Sequence, residues 1–150
     1  MRVVIQRVLN ASVSIRGELH ASIKGGMLIL AGITHQDTME DIDWLCKKIS
    51  HLRIFDDENG VMNLDINAVE KECMVVSQFT LYASTVKGNR PSYIHAATPK
   101  YAQQYYQLFL EQLQKQINKP VCSGVFGADM QVSLINDGPV TICIDTKHKE

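Results

Sequence analysis

The chain has 150 residues, of which 45% are hydrophobic and 21% are charged, and its formal net charge is −1. This composition is typical of a single folded domain with its own core and excludes wholesale disorder, and the near-neutral charge excludes a protein coated in basic residues. The charge is segregated, because residues 37–72 are acidic and the segments on either side are mildly basic. A small basic patch that faces nucleic acid is therefore compatible with the composition.

The cysteines and the apolar stretches bear on cofactors and location. The four cysteines lie far apart, with no Cys-x-x-Cys pair and no Cys/His cluster, so the sequence gives no support for a metal or another cofactor. The first residues lead directly into a strand-like run and lack the long apolar stretch of a signal peptide. No apolar run approaches the ~20 residues of a membrane helix. We therefore expect a cytoplasmic protein without a cofactor, a metal or a membrane partner.

The first third of the chain predicts β structure. Residues 3–8 form one strand-like run, and residues 11–15 and 19–23 form two more on either side of a turn at residues 16–18. A glycine pair then interrupts the chain before residues 27–33. Because this last run is apolar throughout, it predicts a strand that is covered on both faces.

A first helix is predicted after this strand. Asp37 or Thr38 is suited to cap it, and Asp41 follows three residues after Thr38, as in a capping box. Its apolar residues recur at spacings of three and four and form one stripe: Met39, Ile42, Leu45, Cys46, Ile49 and Leu52. The acidic residues between them indicate a solvated face with favourable charge at the helix N-terminus.

A second helix has the clearest boundaries in the sequence. Thr98 is suited to cap it, Pro99 occupies the first helical position, and Pro120 prevents its continuation. We expect Lys115 and Lys119 in its last turns. Its predicted buried stripe consists of Tyr101, Ala102, Tyr105, Leu108, Phe109, Leu113 and Ile117.

The remaining elements are strands. Residues 71–82 contain one, and residues 120–126, 130–135 and 140–144 predict three more. Two helices between two β-rich blocks favour an α+β fold. We expect one domain over residues 1–150, with a β-barrel-like sheet and two main helices.

Residues 77–80 place Ser-Gln-Phe-Thr in an otherwise apolar strand, where an unpaired polar group costs about 1–3 kcal/mol. The hydroxyls of Ser77 and Thr80, the amide of Gln78 and nearby backbone N–H groups are the components of an oxyanion-binding pocket. A strand end whose side chains cap its own backbone accounts for the same residues equally well.

Residues 136–141 read Asn-Asp-Gly-Pro-Val-Thr and predict a turn between two strands. An ordinary hairpin loop is the simpler interpretation. A cis Gly138–Pro139 bond, which occurs at about 5–6% of X–Pro bonds, would instead aim two carbonyl oxygens in parallel as acceptors for an ammonium group.

Two further stretches are open to two interpretations each. The loop at residues 87–92 carries Lys87 and Arg90, which suit a phosphate backbone, although a solvated loop explains them as well. Small residues surround Phe126 within residues 124–130, and they indicate either a close approach of a ligand to the backbone or a β-bulge. A Ser-His-Asp relay is a third idea, with His95 as its nearest histidine, but no motif specifies it.

Together these stretches resemble one family. Residues 77–81 resemble the first signature of the D-aminoacyl-tRNA deacylases (D-tyrosyl-tRNA(Tyr) deacylases), and residues 136–141 resemble the second. Further stretches match the family in the expected order, at residues 1–8, 52–55, 62–63, 87–92 and 126–128. The resemblance therefore spans nearly the whole chain.

The resemblance implies a homodimer that hydrolyses the ester of D-aminoacyl-tRNA, and also of mischarged glycyl-tRNA, with an active site that the two subunits share. Gly138 and Pro139 of one subunit would hold the substrate ammonium in the other and reject an L side chain by steric clash. The implied catalytic residues are Ser77, Gln78, Phe79 and Thr80. The implied substrate-binding residues are Phe126, Met130, Asn136, Gly138, Pro139 and Thr141, with Lys87 and Arg90 as contacts to tRNA phosphate.

The resemblance also bears on the chemistry. Backbone N–H groups near Phe79 and Thr80 are candidates for oxyanion stabilisation, and the 2′-hydroxyl of the tRNA would help to activate the attack. Thr80 as a covalent nucleophile is an alternative that lacks an adjacent base. Two functions of other classes also fit the residues: a non-catalytic module that binds RNA ends or protein, and a Ser or Thr hydrolase of small esters.

Overall fold

A long, curled β-sheet with two helices forms the chain in this computed structural model, which describes residues 1–149. The strands are β1 (Arg2–Ile15), β2 (Glu18–Ile23), β3 (Gly26–Gly32), β4 (Phe55–Asp56), β5 (Met62–Leu64), β6 (Glu72–Ser77), β7 (Val121–Ser123) and β8 (Met130–Asp145). The helices are α1 (Met39–Ser50) and α2 (Pro99–Gln114), and a short 3-10 helix spans Phe79–Tyr82.

The main sheet is mixed, and its connections explain where the helices lie. β1 is antiparallel to β2, β3 and β8, whereas β3, β6 and β7 are parallel to one another. Parallel neighbours need a crossover connection, and here α1 lies between β3 and β6 and α2 between β6 and β7. β4 and β5 form a separate two-stranded hairpin. The predicted α+β fold with a barrel-like sheet and two helices is confirmed.

Two apolar clusters fill the two faces of the curled sheet. The larger one lies between the sheet and the helices and includes Ile42, Leu45, Ile49, Phe109 and Leu113. The smaller one fills the inside of the curl with residues such as Val13, Leu28 and Met74. Alternate residues of β3 contribute to the two clusters, so the prediction of a strand covered on both faces is confirmed.

Both predicted helices form, with differences at their ends. Thr38 and Asp41 make the predicted capping box of α1. α2 begins at Pro99, but the side chain of Thr98 makes no capping hydrogen bond. α2 ends at Gln114, so Lys115 and Lys119 lie beyond it.

The β-structure differs from prediction in two places. Residues 3–8 and 11–15 belong to one continuous strand, β1, because β8 pairs along nearly its whole length. Residues 130–135 and 140–144 likewise belong to one strand, β8, and not to a hairpin. The predicted turn at residues 136–141 is a bulge instead, since both halves of β8 run antiparallel to the same partner.

Charged groups join the beginning of the chain to its later parts. The buried α-ammonium group of Met1 pairs with buried Asp37 and donates a hydrogen bond to Thr146 Oγ1. Arg2 Nε donates to Asp145 Oδ2 over 2.7 Å. Burial opposes ionisation of Asp145, but hydrogen bonds, above all from Arg2, hold its pKa at about 2. No helix within residues 1–149 is long and apolar enough to cross a bilayer.

Candidate active site

A cavity of about 560 Å³ lies where the parallel strands end, and we refer to it as the Ser77 cavity. The carboxyl ends of β3 and β6 and the beginning of α2 supply one part of its wall, and residues 126–132 supply another. Its polar or aromatic lining residues are Ser77, Gln78, Phe79, Tyr93, Phe126 and Asp129, and Met130 and Val132 complete one side. Ligand sites in open α/β sheets prefer this edge of the strands.

The end of β6 positions the polar side chains of the first signature. The Gln78 N–H donates to Ala31 O over 2.7 Å, which extends the pairing with β3 by one residue before the 3-10 helix begins. The Tyr106 hydroxyl donates to Val75 O over 3.0 Å and holds the same strand from the side of α2. Ser77 and Gln78 are therefore half-buried at the cavity wall, on well-supported backbone.

Two backbone N–H groups are free at this point. The N–H groups of Phe79 and Thr80 begin the 3-10 helix, and within residues 1–149 neither donates to another protein atom. The first N–H groups of a helical turn have no partner within it. The groups predicted to stabilise an oxyanion are thus available for a ligand.

Thr80 lies differently from its neighbours. It does not line the Ser77 cavity, and its hydroxyl accepts a hydrogen bond from the side-chain amide of Gln78. His95 lines a separate depression and makes no hydrogen bond to Ser77 or Thr80. The hydroxyl of Thr80 therefore has no base beside it that would make it a nucleophile.

Aromatic side chains form the rim of the cavity. The ring of Phe79 is 56% exposed and packs edge-on against Tyr93, with 4.9 Å between ring centroids. Phe126 lies deeper, tilted against the ring of Tyr106 at 5.8 Å. Gly124 supports Met130, because a Cβ at this glycine would lie 2.5 Å from the Met130 sulfur.

The second signature lies outside this cavity. Gly138 and Pro139 are exposed at the bulge of β8, and the peptide bond between them is cis. Met130 lines the Ser77 cavity, and Gly138 follows it on the same strand at a separation of roughly 20–26 Å. Within one chain the structure therefore does not bring the two signatures together.

Arg7 and Asn136 anchor the bulge. Opposite the bulge, the β1–β8 register skips from Gln6–Thr141 to Val8–Asn136, so Arg7 alone faces it. Arg7 Nε donates to Asp137 O at 3.3 Å, and Arg7 Nη1 donates to Ile54 O at 2.7 Å.

The side-chain amide of Asn136 closes the other side of the bulge. It donates to Arg7 O at 3.0 Å and to Val140 O at 2.9 Å. We did not predict Arg7 as a functional residue, although an arginine between apolar strand residues is a signal of a buried polar role.

The remaining predicted residues lie at the periphery. Lys87 and Arg90 are exposed in a loop whose base is closed by paired hydrogen bonds between Ser84 and Ser92. The Thr141 hydroxyl accepts a hydrogen bond from the Gln6 amide over 3.3 Å. The structure places none of these three residues at the wall of the Ser77 cavity.

The electrostatics of the cavity indicate what it can do. Among residues 1–149, Asp129 is the only charged residue in its lining. Cys46 and Cys73 lie in the core and not in the cavity wall. Burial raises the pKa of the Cys46 thiol to about 12 and also raises that of Cys73, so both stay protonated at neutral pH. Within residues 1–149, no three His, Cys, Asp or Glu side chains are grouped as metal ligands would be. The cavity offers hydrogen-bond donors and a shaped surface, which suit the positioning and polarisation of a carbonyl group.

Known proteins resemble this chain over its whole length. The sequence model of the family described as D-Tyr-tRNA(Tyr) deacylase matches residues 4–145. A protein named D-aminoacyl-tRNA deacylase from Bacteroides fragilis (strain YCH46) is 61% identical over 150 residues, which is 100% of both chains. The protein of the same name from Porphyromonas gingivalis (strain W83) is 60% identical, again over 100% of both.

Two solved structures resemble the fold. One is titled c-Myc DNA Unwinding Element Binding Protein and aligns with a TM-score of 0.92 and 40% identity over 97% of this chain and 98% of that one. The other, from a structural analysis of a probable eukaryotic D-amino acid tRNA deacylase, has a TM-score of 0.80 over 95% and 97% of the chains. At 15% identity the second likeness concerns the fold alone.

Proposed function

The chain belongs to the D-Tyr-tRNA(Tyr) deacylase family, and from this premise we propose that its Ser77 cavity hydrolyses the ester between a D-amino acid and the 3′ end of tRNA. Its enzyme class is that of its full-length relatives, which are D-aminoacyl-tRNA deacylases and thus ester hydrolases. The observation that carries the proposal is the position of the first signature: Ser77, Gln78 and Phe79 line the Ser77 cavity beside two free backbone N–H groups.

The chemistry that we propose depends on positioning. The terminal adenosine and the ester carbonyl occupy the Ser77 cavity, with Phe126 and Met130 at its wall. As water attacks the carbonyl, the N–H groups of Phe79 and Thr80 stabilise the developing oxyanion, and one such donor typically contributes about 3 kcal/mol. The 2′-hydroxyl of the terminal ribose assists the attack. Among residues 1–149, the cavity wall contains Asp129 as its only charged side chain and no histidine.

Thr80 has a supporting role in this proposal. Its hydroxyl holds the side chain of Gln78 and has no adjacent base. Replacement of Thr80 by alanine should therefore reduce activity only modestly. Loss of all activity in Thr80→Ala, together with a trapped acyl-enzyme in the wild type, would show that Thr80 is a nucleophile.

We assign the selection of D over L substrates to Gly138 and Pro139. Their carbonyl oxygens would bind the substrate ammonium, and the surrounding backbone would clash with an L side chain. The exposure of the pair and its anchoring by Arg7 and Asn136 support this role, since a selector has to be both accessible and rigid. Because glycine has no side chain to clash, glycyl-tRNA should also be a substrate.

The same geometry supports a homodimer with shared active sites. Gly138 cannot reach the Ser77 cavity of its own chain, but a two-fold axis between Met130 and Gly138 would place each bulge beside the other subunit's cavity. Within the described residues 1–149, β8 pairs on one side only, with β1, and its second side is a free strand edge. Leu9 and Ile135, at 55% and 52% exposure, add apolar surface near this edge.

The periphery of the site bears on tRNA binding. Lys87 and Arg90 lie on an exposed loop beside Tyr93, at the rim of the cavity, where they would contact phosphate. Since the substrate is charged tRNA, we place the protein in the cytoplasm.

The decisive test compares D-tyrosyl-tRNA with L-tyrosyl-tRNA. We expect the purified protein to release tyrosine rapidly from the D form, and to leave the L form at its rate of spontaneous hydrolysis. Release from neither substrate would contradict the proposal and favour a binding module. Cleavage of small esters without RNA, blocked by a serine-reactive reagent, would favour an ordinary serine or threonine hydrolase.

A further inference from the structure

A second groove shares the 3-10 helix with the Ser77 cavity, because Leu81 lines the groove and Phe79 lines the cavity. It has a volume of about 610 Å³ and runs between α1 and the paired ends of β1 and β8. Its wall includes Arg2, Trp44, Lys48, Leu52 and Leu81, and we refer to it as the Trp44 groove. Of the two signatures of the family, the first contributes only its last residue, Leu81, and the second contributes none.

A smaller depression adjoins the Trp44 groove. Its volume is about 240 Å³, and its wall includes Tyr82, His95 and Lys147. Arg2 and His148 line both the depression and the Trp44 groove. On the other side, His95 is adjacent in sequence to Ala96, which lines the Ser77 cavity. The depression and the groove therefore form one path from His95 to Trp44, and this path begins beside a residue of the cavity wall.

Cations and aromatic rings alternate along this path. The guanidinium carbon of Arg2 lies 4.6 Å from the centroid of the Tyr82 ring. The ammonium groups of Lys48 and Lys149 lie 5.7 Å and 4.4 Å from the centroid of Trp44. Grooves that bind single-stranded nucleic acid combine backbone-tracking cations with aromatic rings on which bases stack.

Among the cations of the path, Lys48 is available to bind a ligand. Arg2 is paired with Asp145, and Lys147 with Asp41. Lys48 makes no ion pair within the described part of the chain, residues 1–149. Its charge is thus free to attract a phosphate group, although α1 begins with acidic residues.

A buried polar atom supports a ligand at the smaller depression. Tyr82 is only 6% exposed, and its hydroxyl has no hydrogen-bond partner within residues 1–149. Buried hydroxyl groups are nearly always paired, so an unpaired one at the wall of a polar depression indicates a partner from outside the chain.

We propose that the Trp44 groove binds the single-stranded nucleotides that precede the terminal adenosine of tRNA, with a base against Trp44 and a phosphate at Lys48. This assignment rests on the proposed function, because it starts from the terminal adenosine in the Ser77 cavity. The path then carries the strand past Tyr82 and His95 to α1. The start of the path beside the cavity wall and the free charge of Lys48 favour this ligand over a second copy of the chain or a peptide.

The test compares two substrates of different length. D-tyrosyl-adenosine reaches only the Ser77 cavity, whereas D-tyrosyl-tRNA also reaches the groove. Lys48→Gln should raise the KM for D-tyrosyl-tRNA by about twofold to fivefold, as expected for one exposed charge contact. It should also reduce the slope of log KM against log salt by about 0.7, the value for one phosphate of a single strand. The KM for D-tyrosyl-adenosine reports on the cavity alone and should not follow this change.

Lys47→Gln is the matched control. Lys47 directly precedes Lys48 on the same helix and is also exposed, but it does not line the groove. The control should keep the wild-type KM and salt slope for both substrates. An equal effect of both variants would show that only the overall charge matters and would overturn the proposal.

Trp44→Leu tests the stacking contact. Stacking of a base on an aromatic ring predicts a rise of about fivefold or more in the KM for D-tyrosyl-tRNA, with a smaller change for D-tyrosyl-adenosine. The assignment is overturned if the ratio of the KM for D-tyrosyl-tRNA to the KM for D-tyrosyl-adenosine is unchanged in both Lys48→Gln and Trp44→Leu. It is also overturned if Trp44→Leu alters only the oligomeric state. If the wild type hydrolyses neither substrate, the proposed function has failed and the assignment falls with it.

Discussion

At the scale of single residues, the backbone at Gly138 restricts what the sequence can contain. Its φ is +120°, a region that L residues rarely adopt, and an added Cβ would lie 2.9 Å from Val140 Cγ2 and 3.1 Å from the Arg7 guanidinium. We expect Gly138→Ala to cost about 1–3 kcal/mol of unfolding free energy through backbone strain. The same change should displace Arg7 and lower the ratio of D to L hydrolysis.

Gly60→Ala is the control for this prediction. Gly60 also has a positive φ, of +73°, but a Cβ there would meet no atom within 4 Å. It should show a cost of about 1 kcal/mol in denaturant unfolding and an unchanged D to L ratio. A D to L ratio that is equally unaffected by Gly138→Ala would contradict the selector role of the bulge.

Residue types identified some of the candidate site but not its assembly. Ser77 and Gln78 were recognisable because polar side chains interrupt an apolar strand, and the structure places both at the cavity wall. Tyr93 was missed, because only the fold brings it to the same cavity, and Asp129 was not named although it lies within residues 124–130. Arg7 was also missed, since its acceptors lie on β8 and in the loop before β4.

At the scale of elements, the two helix N-termini look alike in sequence and differ in structure. Thr38 accepts a hydrogen bond from the Asp41 N–H, whereas the Thr98 side chain makes no cap. The Thr98 N–H instead donates to His35 Nε2 over 3.0 Å. Thr38→Ala should therefore lower the free energy of unfolding by about 1 kcal/mol, and Thr98→Ala should change it by far less. Equal losses in urea titrations of the two variants would show that the cap of α1 contributes nothing specific.

The β-elements were harder to predict than the helices, for a physical reason. A helix makes its hydrogen bonds within itself, so periodicity and caps are visible in one segment, as in α1. A strand depends on its partner. Residues 136–141 have the composition of a hairpin turn, but pairing of both flanks with β1 makes them a bulge in one strand.

At the scale of the whole molecule, the proposed shared active site can be tested by mixing two defective variants. One carries Gly138→Ala, which should be impaired in substrate selection, and the other carries a Phe79→Ala and Gln78→Ala double change in the cavity wall. In a mixed dimer, one of the two sites combines the intact cavity with the intact bulge. Mixing and exchange of subunits should restore selective D-tyrosyl-tRNA hydrolysis to about a quarter of the wild-type level. No recovery in mixtures whose subunits have exchanged, as checked by mass, would contradict shared sites.

The stabilisation from the contact between Arg2 and Asp145, which joins the two ends of the chain, should depend on pH. The pKa of Asp145 is about 2 in the folded protein and about 3.9 when unfolded, because the folded state favours its ionised form. The resulting stabilisation is fully present above about pH 4 and is lost as the pH falls towards 2. Asp145→Asn should show a weaker fall in unfolding free energy over this interval than the wild type. Parallel curves for the two proteins would show that Asp145 does not contribute.

The sequence by itself determined the fold class, the two helices and the polar interruption at residues 77–80, because these features follow from local periodicity, caps and composition. Its two ordered signatures also indicated the family. Only the tertiary structure decided that the chain continues through residues 136–141 as one strand, and that Gly138 lies far from the cavity of its own chain. The physical reason is that strand pairing and cavities are formed by residues distant in sequence, whose distances no local pattern records.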